Sequence, residues 1–542
     1  TDELLGLGVV ESLTSSLRDE VIGWVLGYNS DGSVRTEIED PLHSQPLVIN
    51  YGPDDSVAFI ATNSGYLHAF STDVENPQEY FSLIPRELLQ NPYQYFKGER
   101  YLSGEKVYGL DGAVTHWHND TNYNGIVDGT DKVYLFVGMR RGGQSYYALD
   151  VTDRNDPQML WEVHGNYVDD ELINVPEVTS GFSELGQTWG SLIPAMVRYQ
   201  GADKVVLFAS GGYDPDEDGD DLNGPLTRSG NSIGRTVYMI DALTGEKLWS
   251  ALSDVGLESE MLSAFAADVI PVDRNDNGYI DLLYAADVGG RVWRFDLSES
   301  AENAATFATG GVIADINTSD AQGNRRFFSS PDITYYNDYG SGYILISIGS
   351  GYRAHPLSQT TTDYQFLIKD LIGKQYPEGY SSVSFGDLEE WGTSDAQTAS
   401  HGWYIPLTDA YEKVLATSVT VKGLVSFTTY TPNDASSITA QCGTLGTSRL
   451  YMADVRDPMG TNLASRMGVP PAQIDDGRYV VETVKTGIPP SPVVLMPEAA
   501  QDPDNPDELI CGEGLTLVGP EAFRNGLNRC DMIERIFWKE ND

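Results

Sequence analysis

The stretch Val57-Ala-Phe-Ile-Ala-Thr-Asn-Ser-Gly-Tyr-Leu-His-Ala-Phe70 decides the fold. It holds two short apolar runs rich in β-branched and aromatic residues, separated by Asn, Ser and Gly, which is the signature of two strands joined by a tight turn. The arrangement recurs at 133–138 with 145–150, at 205–211 with 237–241, and across 282–296. A lead run precedes most of these pairs, often with a small residue or proline before its apolar stretch. The lead runs are 43–50, 111–116, 189–197 and 264–272, with weaker copies at 328–334, 414–420 and 489–495. That gives seven units of about 65–85 residues each. An all-β chain of this kind predicts a seven-bladed β-propeller with helical and loop insertions, because closing a ring of sheets removes long exposed edges. A pair of β-sandwiches is the competing architecture, but it leaves the recurrence along nearly the whole chain unexplained. We expect an N-terminal helix and lead-in strand over 1–39 and a single propeller over 40–542.

Outside the strand pattern, Val10, Leu13, Leu17, Val21 and Trp24 stand three or four apart, the spacing of an amphipathic helix. Asn29-Ser-Asp-Gly32 then marks a turn. Two inserts, 81–90 and 366–372, also read as helical, and the Pro/Asp-rich segment 498–508 reads as an exposed loop.

Two loops share the pattern D-x-N-x-N-G-x-x-D. In the first, Asp273, Asn275 and Asn277 alternate, Gly278 permits a sharp bend, the Tyr279 carbonyl turns inward and Asp281 closes the ring. The second places Asp120, Asn122, Asn124, the Ile126 carbonyl and Asp128 in the same order, with Asp131 at the twelfth position. Alternating oxygen donors with a glycine at the reversal form the ligand set of a hard cation, and calcium fits it better than magnesium, which demands a tighter octahedron. Neither loop is an EF-hand: the twelfth position of the first is Tyr284, and strands follow, not a helix. Two carboxylates per loop predict modest affinity. The plain alternative is a turn rich in Gly, Asn and Asp. A third, incomplete candidate is Asp214, Asp216 and Asp218; its ninth position is Leu222, so the closing carboxylate is missing.

The chain has 542 residues and a net charge of −46, from 34 basic and 80 acidic side chains. Such a surface disfavours nucleic acid and anionic membranes, which bind clustered Lys and Arg. No window holds the ~18 consecutive apolar residues of a membrane span. Thr1-Asp2-Glu3 reads as a mature terminus or a cut, so no leader speaks for or against secretion. The cysteines, Cys442, Cys511 and Cys530, form no CxxC, and their pairing stays open.

No catalytic constellation is legible: there is no G-x-S-x-G, H-E-x-x-H or phosphate-binding loop. His116 and His118 share a strand face but show no third ligand, and His43 and His68 read as structural. Residues 140–143 read as a strand-to-strand loop. Thr244-Gly245 makes a turn that docks Trp249 on a neighbouring blade; such turns recur in propellers that bind pyrroloquinoline quinone, but the adjacent Cys-Cys pair of those sites is absent.

Residues 40–46, 61–70 and 137–153, followed by the Asp273 loop with Val292-Trp-Arg-Phe-Asp296, resemble the C-terminal domain of PilY-type proteins, the type IV pilus-associated adhesins and biogenesis factors. The similarity is strongest over about 40–300, and residues 487–492 still fit. The resemblance implies a modified seven-bladed propeller. It implies calcium at the Asp273 loop, with occupancy setting the balance of pilus extension and retraction. It further implies placement at the pilus tip or outer-membrane surface, reached through the periplasm. The implied partners are type IV pilins or minor pilins and a host or abiotic surface, and the implied roles are adhesion and twitching motility. The family's N-terminal von Willebrand-like region is absent here, so a longer protein with a further domain is expected. Asn277 stands where such loops often carry Asp, which lowers the charge. The chain thus reads as a non-enzymatic, calcium-binding pilus propeller with no cofactor beyond Ca2+. A quinoprotein-like dehydrogenase and a calcium-stabilised scaffolding or lectin-like module are the alternatives.

Overall fold

Each of the seven lead runs enters the first strand of a sheet. The computed structural model describes residues 5, 7, 14–97, 106–166, 176–218, 228, 230, 232–338, 341–371, 381–433, 446–484, 487–497, 500–501, 509–510 and 512–528. Among them the strands form seven sheets of three or more strands and one two-stranded ribbon. The architecture is all-β and propeller-like, with few helices, and no described helix is long and apolar enough to cross a membrane. The chain separates into two compact units. One comprises Thr1–Gly219, Arg228–Ala285 and Phe295–Gly310; the other comprises Asp220–Thr227, Ala286–Arg294 and Gly311–Asp542.

In the first unit β1 (Leu47–Gly52), β2 (Asp55–Ala61), β3 (Leu67–Ser71) and β4 (Glu79–Leu83) form an antiparallel meander in chain order. Period-two alternation puts Val57, Phe59 and Ala61 of β2 into the core, all fully buried. The turn to β3 needs Gly65, whose φ is +104° and whose added Cβ would press on Leu88 and Ile84. The meander repeats in β5 (Val114–Asn119), β6 (Lys132–Gly138), β7 (Ser145–Asp150) and β8 (Gln158–His164). It repeats again in β9 (Ile193–Tyr199), β10 (Ala202–Ser210), β11 (Val237–Asp241) and β12 (Lys247–Ser250). Next come β13 (Ile270–Val272) and β14 (Leu282–Ala286), paired antiparallel from Ile270↔Tyr284 to Val272↔Leu282.

Tryptophans stitch successive sheets. Trp161 Nε1 donates to the Ala242 carbonyl at 3.0 Å, and Gly245 (φ +73°) leaves room for that indole, since a Cβ there would fall 2.8 Å from its ring. Trp249 is fully buried with its ring 5.8 Å from Phe295 and 5.8 Å from Phe307, the docking predicted for it.

In the second unit β16 (Ala308–Asp315), which begins in the first, pairs in parallel with β20 (Val383–Ser384) through Ala314 and Asp315. A sheet follows in the order β17 (Asp332–Asp338), β18 (Ser341–Gly349), β19 (Tyr364–Leu371), β22 (Gly402–Pro406), β21 (Glu389–Glu390). The next sheet is built on β25 (Leu424–Thr431) and β26 (Thr447–Asp454), and the last on Val493–Leu495, Glu513–Val518 and Glu521–Asn528.

Both helical inserts need correction. Residues 366–372 fall mainly in β19, not a helix: this strand pairs with β18 and β22 and is buried on both faces. A short continuous apolar run does not separate a central strand from a buried helix by period alone. Residues 81–90 begin inside β4, break at Pro85 and pass through a single 3-10 turn, Arg86–Leu88; the α-helix comes later, at Asn91–Lys97. Pro85 disfavours helical backbone at the residue before it, whereas Pro92 sits near a helix start, where its missing N–H costs nothing. The N-terminal helix runs Ser15–Val25, capped by the Thr14 hydroxyl, which accepts from Leu17 N at 3.1 Å. Val10 and Leu13 lie outside the described residues, as do all three cysteines and most of 498–508.

Asp332, at the start of β17, carries a carboxyl oxygen with no hydrogen-bond partner, and burial pushes its pKa up from 3.8 to about 6. The folded chain therefore holds this proton where the unfolded chain has lost it. The associated stability is present below pH ~4 and is lost as the pH rises through ~6, amounting to at most about 3 kcal/mol. Asp332→Asn is expected to stabilise the protein at pH 7 and to change little at pH 4. Thermal unfolding of both proteins at the two pH values checks this, and an equal effect at both would contradict it.

Candidate metal centres

Both nine-residue loops join antiparallel strands: β5 to β6 for the Asp120 loop and β13 to β14 for the Asp273 loop. They share a core of five hydrogen bonds and two left-handed positions. Position four takes a left-handed φ in both, +59° at Tyr123 and +57° at Asp276, and the glycine at position six does so too, +73° at Gly125 and +88° at Gly278. Left-handed backbone at a non-glycine residue is uncommon, so its recurrence marks one specified turn used twice. The position-one carboxylate accepts from the amides of positions five and six. Asp120 does so from Asn124 (3.3 Å) and Gly125 (2.7 Å), and Asp273 from Asn277 (3.2 Å) and Gly278 (2.7 Å). The position-three amide oxygen accepts from position five at 3.1 Å in each loop. The position-five oxygen accepts from position seven, Ile126 at 2.7 Å and Tyr279 at 2.9 Å. Finally the position-three amide nitrogen reaches the closing carboxylate: Asn122 to Asp128 at 2.9 Å and Asn275 to Asp281 at 3.1 Å. The predicted ligand side chains are thus gathered in both loops.

The loops differ at their edges. Asp281 is 7 % exposed, and burial raises its pKa, opposed by the Arg274 amide, which donates to it at 3.0 Å. Asn277 turns its amide nitrogen to Glu299 at 2.7 Å, which brings a third carboxylate to the loop from 22 residues away. Arg198 bridges Glu299 (3.3 Å) and Asp203 (3.2 Å) and lies over the Tyr279 ring at 4.3 Å. In the Asp120 loop both Asn122 and Asn124 donate to Asp128, and Asp131 takes the position-two amide, Thr121 N at 2.9 Å. The Thr121 amide and hydroxyl hold Asp131 down at a pKa of about 2, and the Gly125 amide lowers Asp120.

Sequence reasoning missed Glu299, for which no local signal exists. It also missed that Asp131 brings His118 a carboxylate neighbour, although position twelve was legible. Both loops offer all-oxygen ligand sets of the kind calcium takes. The third candidate is different. Asp214 is 6 % exposed and accepts from the amides of Asp216 (3.0 Å) and Ile233 (2.9 Å), while Asp218 accepts the Tyr213 hydroxyl. These bonds fix the chain, and 219–227 lie outside the described residues.

His43 and His68 have structural settings. His43 Nδ1 lies 2.6 Å from the fully buried Asp111, which also accepts from Asn63 at 3.0 Å. His68 pairs with Glu79 at 2.7 Å and stacks on Phe70. Residues 140–142 form the short turn between β6 and β7, and the Arg140 and Arg141 guanidiniums lie 4.4 and 4.7 Å from the Trp189 ring.

Comparison with known proteins places this architecture. A family model described as the PilY1 beta-propeller domain matches residues 53–335. A type IV pilus biogenesis factor PilY1 homolog of Xylella fastidiosa is 22 % identical over 444 residues, covering 73 % of this chain and 26 % of the relative. The type IV pilus biogenesis factor PilY1 of Pseudomonas aeruginosa is 26 % identical over 247 residues, covering 45 % of this chain and 17 % of the relative. The chain therefore spans about a quarter or less of the length of these relatives. The crystal structure of the P. aeruginosa PilY1 C-terminal domain superposes with a TM-score of 0.54 at 18 % identity, over 87 % of this chain and 92 % of that one, a likeness of fold. With the family's model covering over half of its length, including both loops, the chain belongs to the PilY1 β-propeller domain family.

Proposed function

We propose that this chain is the calcium-binding propeller of a type IV pilus biogenesis factor, with its seven larger sheets serving as blades of one ring. The observation that carries the calcium reading is the hydrogen-bond core shared by the Asp120 and Asp273 loops. Two turns 153 residues apart, in different sheets, share five hydrogen bonds, two left-handed positions and an oxygen-only ligand set. A turn needed only to reverse the chain does not require the closing Asp at position nine. Asp273, Asn275, Asn277, the Tyr279 carbonyl and Asp281 would hold one ion, and Asp120, Asn122, Asn124, the Ile126 carbonyl and Asp128 the other. The bound ion cancels carboxylate repulsion and fixes each hairpin loop. The protein acts by binding, not by catalysis. Its calcium state tunes pilus extension against retraction and surface attachment, at the pilus tip or cell surface, through contacts with pilins or minor pilins.

The test is made in the full-length protein, in the bacterium that produces it. Asp281→Ala is expected to shift the fraction of piliated cells and surface attachment at least severalfold, as calcium depletion does for the wild type. Piliation that ignores both the substitution and calcium would refute the regulatory reading while leaving family membership intact.

A further inference from the structure

We propose that the Asp120 hairpin also holds a zinc-class divalent ion, on His118, Asp120 and Asp131, a site the Asp273 hairpin lacks. One ligand atom from each of these three side chains lies within 4.8 Å of the other two. His118 Nε2 is buried, makes no hydrogen bond, and sits 3.5 Å from Asp131 Oδ2. A buried imidazole nitrogen whose nearest acceptor is a carboxylate oxygen 3.5 Å away is poorly satisfied, and a metal ion between the two engages both. The 3.5 Å separation matches the edge of a tetrahedron. Bonds of about 2.0–2.1 Å to nitrogen and oxygen place neighbouring ligands about 3.4 Å apart. Three protein ligands leave one position for water.

The hairpin holds these groups in place. His118 is on β5, and the next residue, Asn119, pairs with Lys132 of β6, directly after Asp131. Asp131 is 3 % exposed; its Oδ1 is held by the Thr121 amide (2.9 Å) and hydroxyl (2.7 Å), and its Oδ2 accepts from the Asp128 amide at 3.2 Å, which leaves the second lone pair of Oδ2 for a metal. The corresponding positions beside the Asp273 loop are Pro271 and Tyr284, neither of which supplies such a ligand. Imidazole suits zinc and its neighbours in the transition series, whereas calcium takes oxygen. Asp120 belongs to both ligand sets, so zinc and calcium compete at this hairpin; the competition rests on the calcium reading, but the zinc site itself does not.

The experiment is calorimetric titration of the whole chain with zinc chloride, repeated with cobalt(II) to read the visible absorption of a four-coordinate ion. Wild type, His118→Ala, His118→Gln and Asp281→Ala are compared, each checked for native circular dichroism. We expect one zinc ion per wild-type chain, at least tenfold weaker binding in both His118 variants, and unchanged zinc binding in Asp281→Ala. The His118 variants keep their calcium uptake, since imidazole is not a calcium ligand. Zinc affinity unaffected by loss of His118, or no zinc uptake by the wild type, overturns the proposal. Zinc held through His118 in a chain that takes up no calcium overturns the calcium reading and leaves this one standing.

Discussion

Replacing Asp281 by alanine is expected to remove one of the two proposed calcium ions per chain and the stabilisation that ion would supply. Asp281 closes the Asp273 loop, and the backbone holds it there. Its amide donates to the Val272 carbonyl at 3.1 Å, its carbonyl accepts from Leu297 at 2.9 Å, and its carboxylate accepts from Arg274 N and Asn275 Nδ2. Without that carboxylate the ligand set loses its closing member, and the oxygen shell stays open. A ligand at about a hundred times its Kd stabilises a fold by about 2.7 kcal/mol. For a modest extracellular site with Kd near 10⁻⁴ M, that corresponds to about 10 mM calcium. Wild type is therefore expected to melt several degrees higher in calcium than in chelator, with about half of that gain lost in Asp281→Ala. Thermal unfolding with and without calcium reads it directly. An equal calcium response in the two proteins would show that Asp281 is not a ligand.

The second large effect lies in the other unit. Arg294 and Asp370 form an ion pair with side chains 2 % and 1 % exposed, the guanidinium reaching both carboxylate oxygens at 3.1 and 2.9 Å. Removing one partner leaves the other charge buried without its counterion, which typically costs about 3–5 kcal/mol. Asp370→Ala is expected to lower the melting temperature by on the order of ten degrees. The double replacement Arg294→Met with Asp370→Leu should recover most of that loss, because well-packed apolar side chains replace a buried pair at little cost. A double variant no more stable than Asp370→Ala would assign the defect to lost packing and contradict this account.

The legible parts of the chain were those encoded locally. Val57 to Ala61 form a short apolar run ended by Thr-Asn-Ser-Gly, so β2 and its turn at Gly65 could be read directly. The shared turn of the Asp120 and Asp273 loops was readable because one pattern, nine residues long, carries its alternating side chains, its bend and its closing Asp. Trp249 was placed correctly because a Thr-Gly turn sets the direction of the strand that bears it. The rest depends on neighbours distant in sequence. Phe366, Leu367 and Ile368 are buried on both faces of a strand paired between β18 and β22, and nothing within seven residues distinguishes that run from a buried helix turn. Helix at 81–90 is stopped by Pro85, which disfavours helical backbone at Ile84. Glu299 reaches Asn277 from beyond β15 (Arg291–Leu297), and His118 gains its carboxylate neighbours only when β5 and β6 pair.

The central claim is that the two matched loops are calcium sites. Calorimetric calcium titration of wild type, Asp281→Ala and Asp128→Ala tests it most directly. The account predicts two ions per wild-type chain and one in each variant, with the remaining site unchanged. A wild-type chain that takes up no calcium at millimolar concentration would contradict it, and the shared hydrogen bonds of the two loops would then be those of a repeated turn and nothing more.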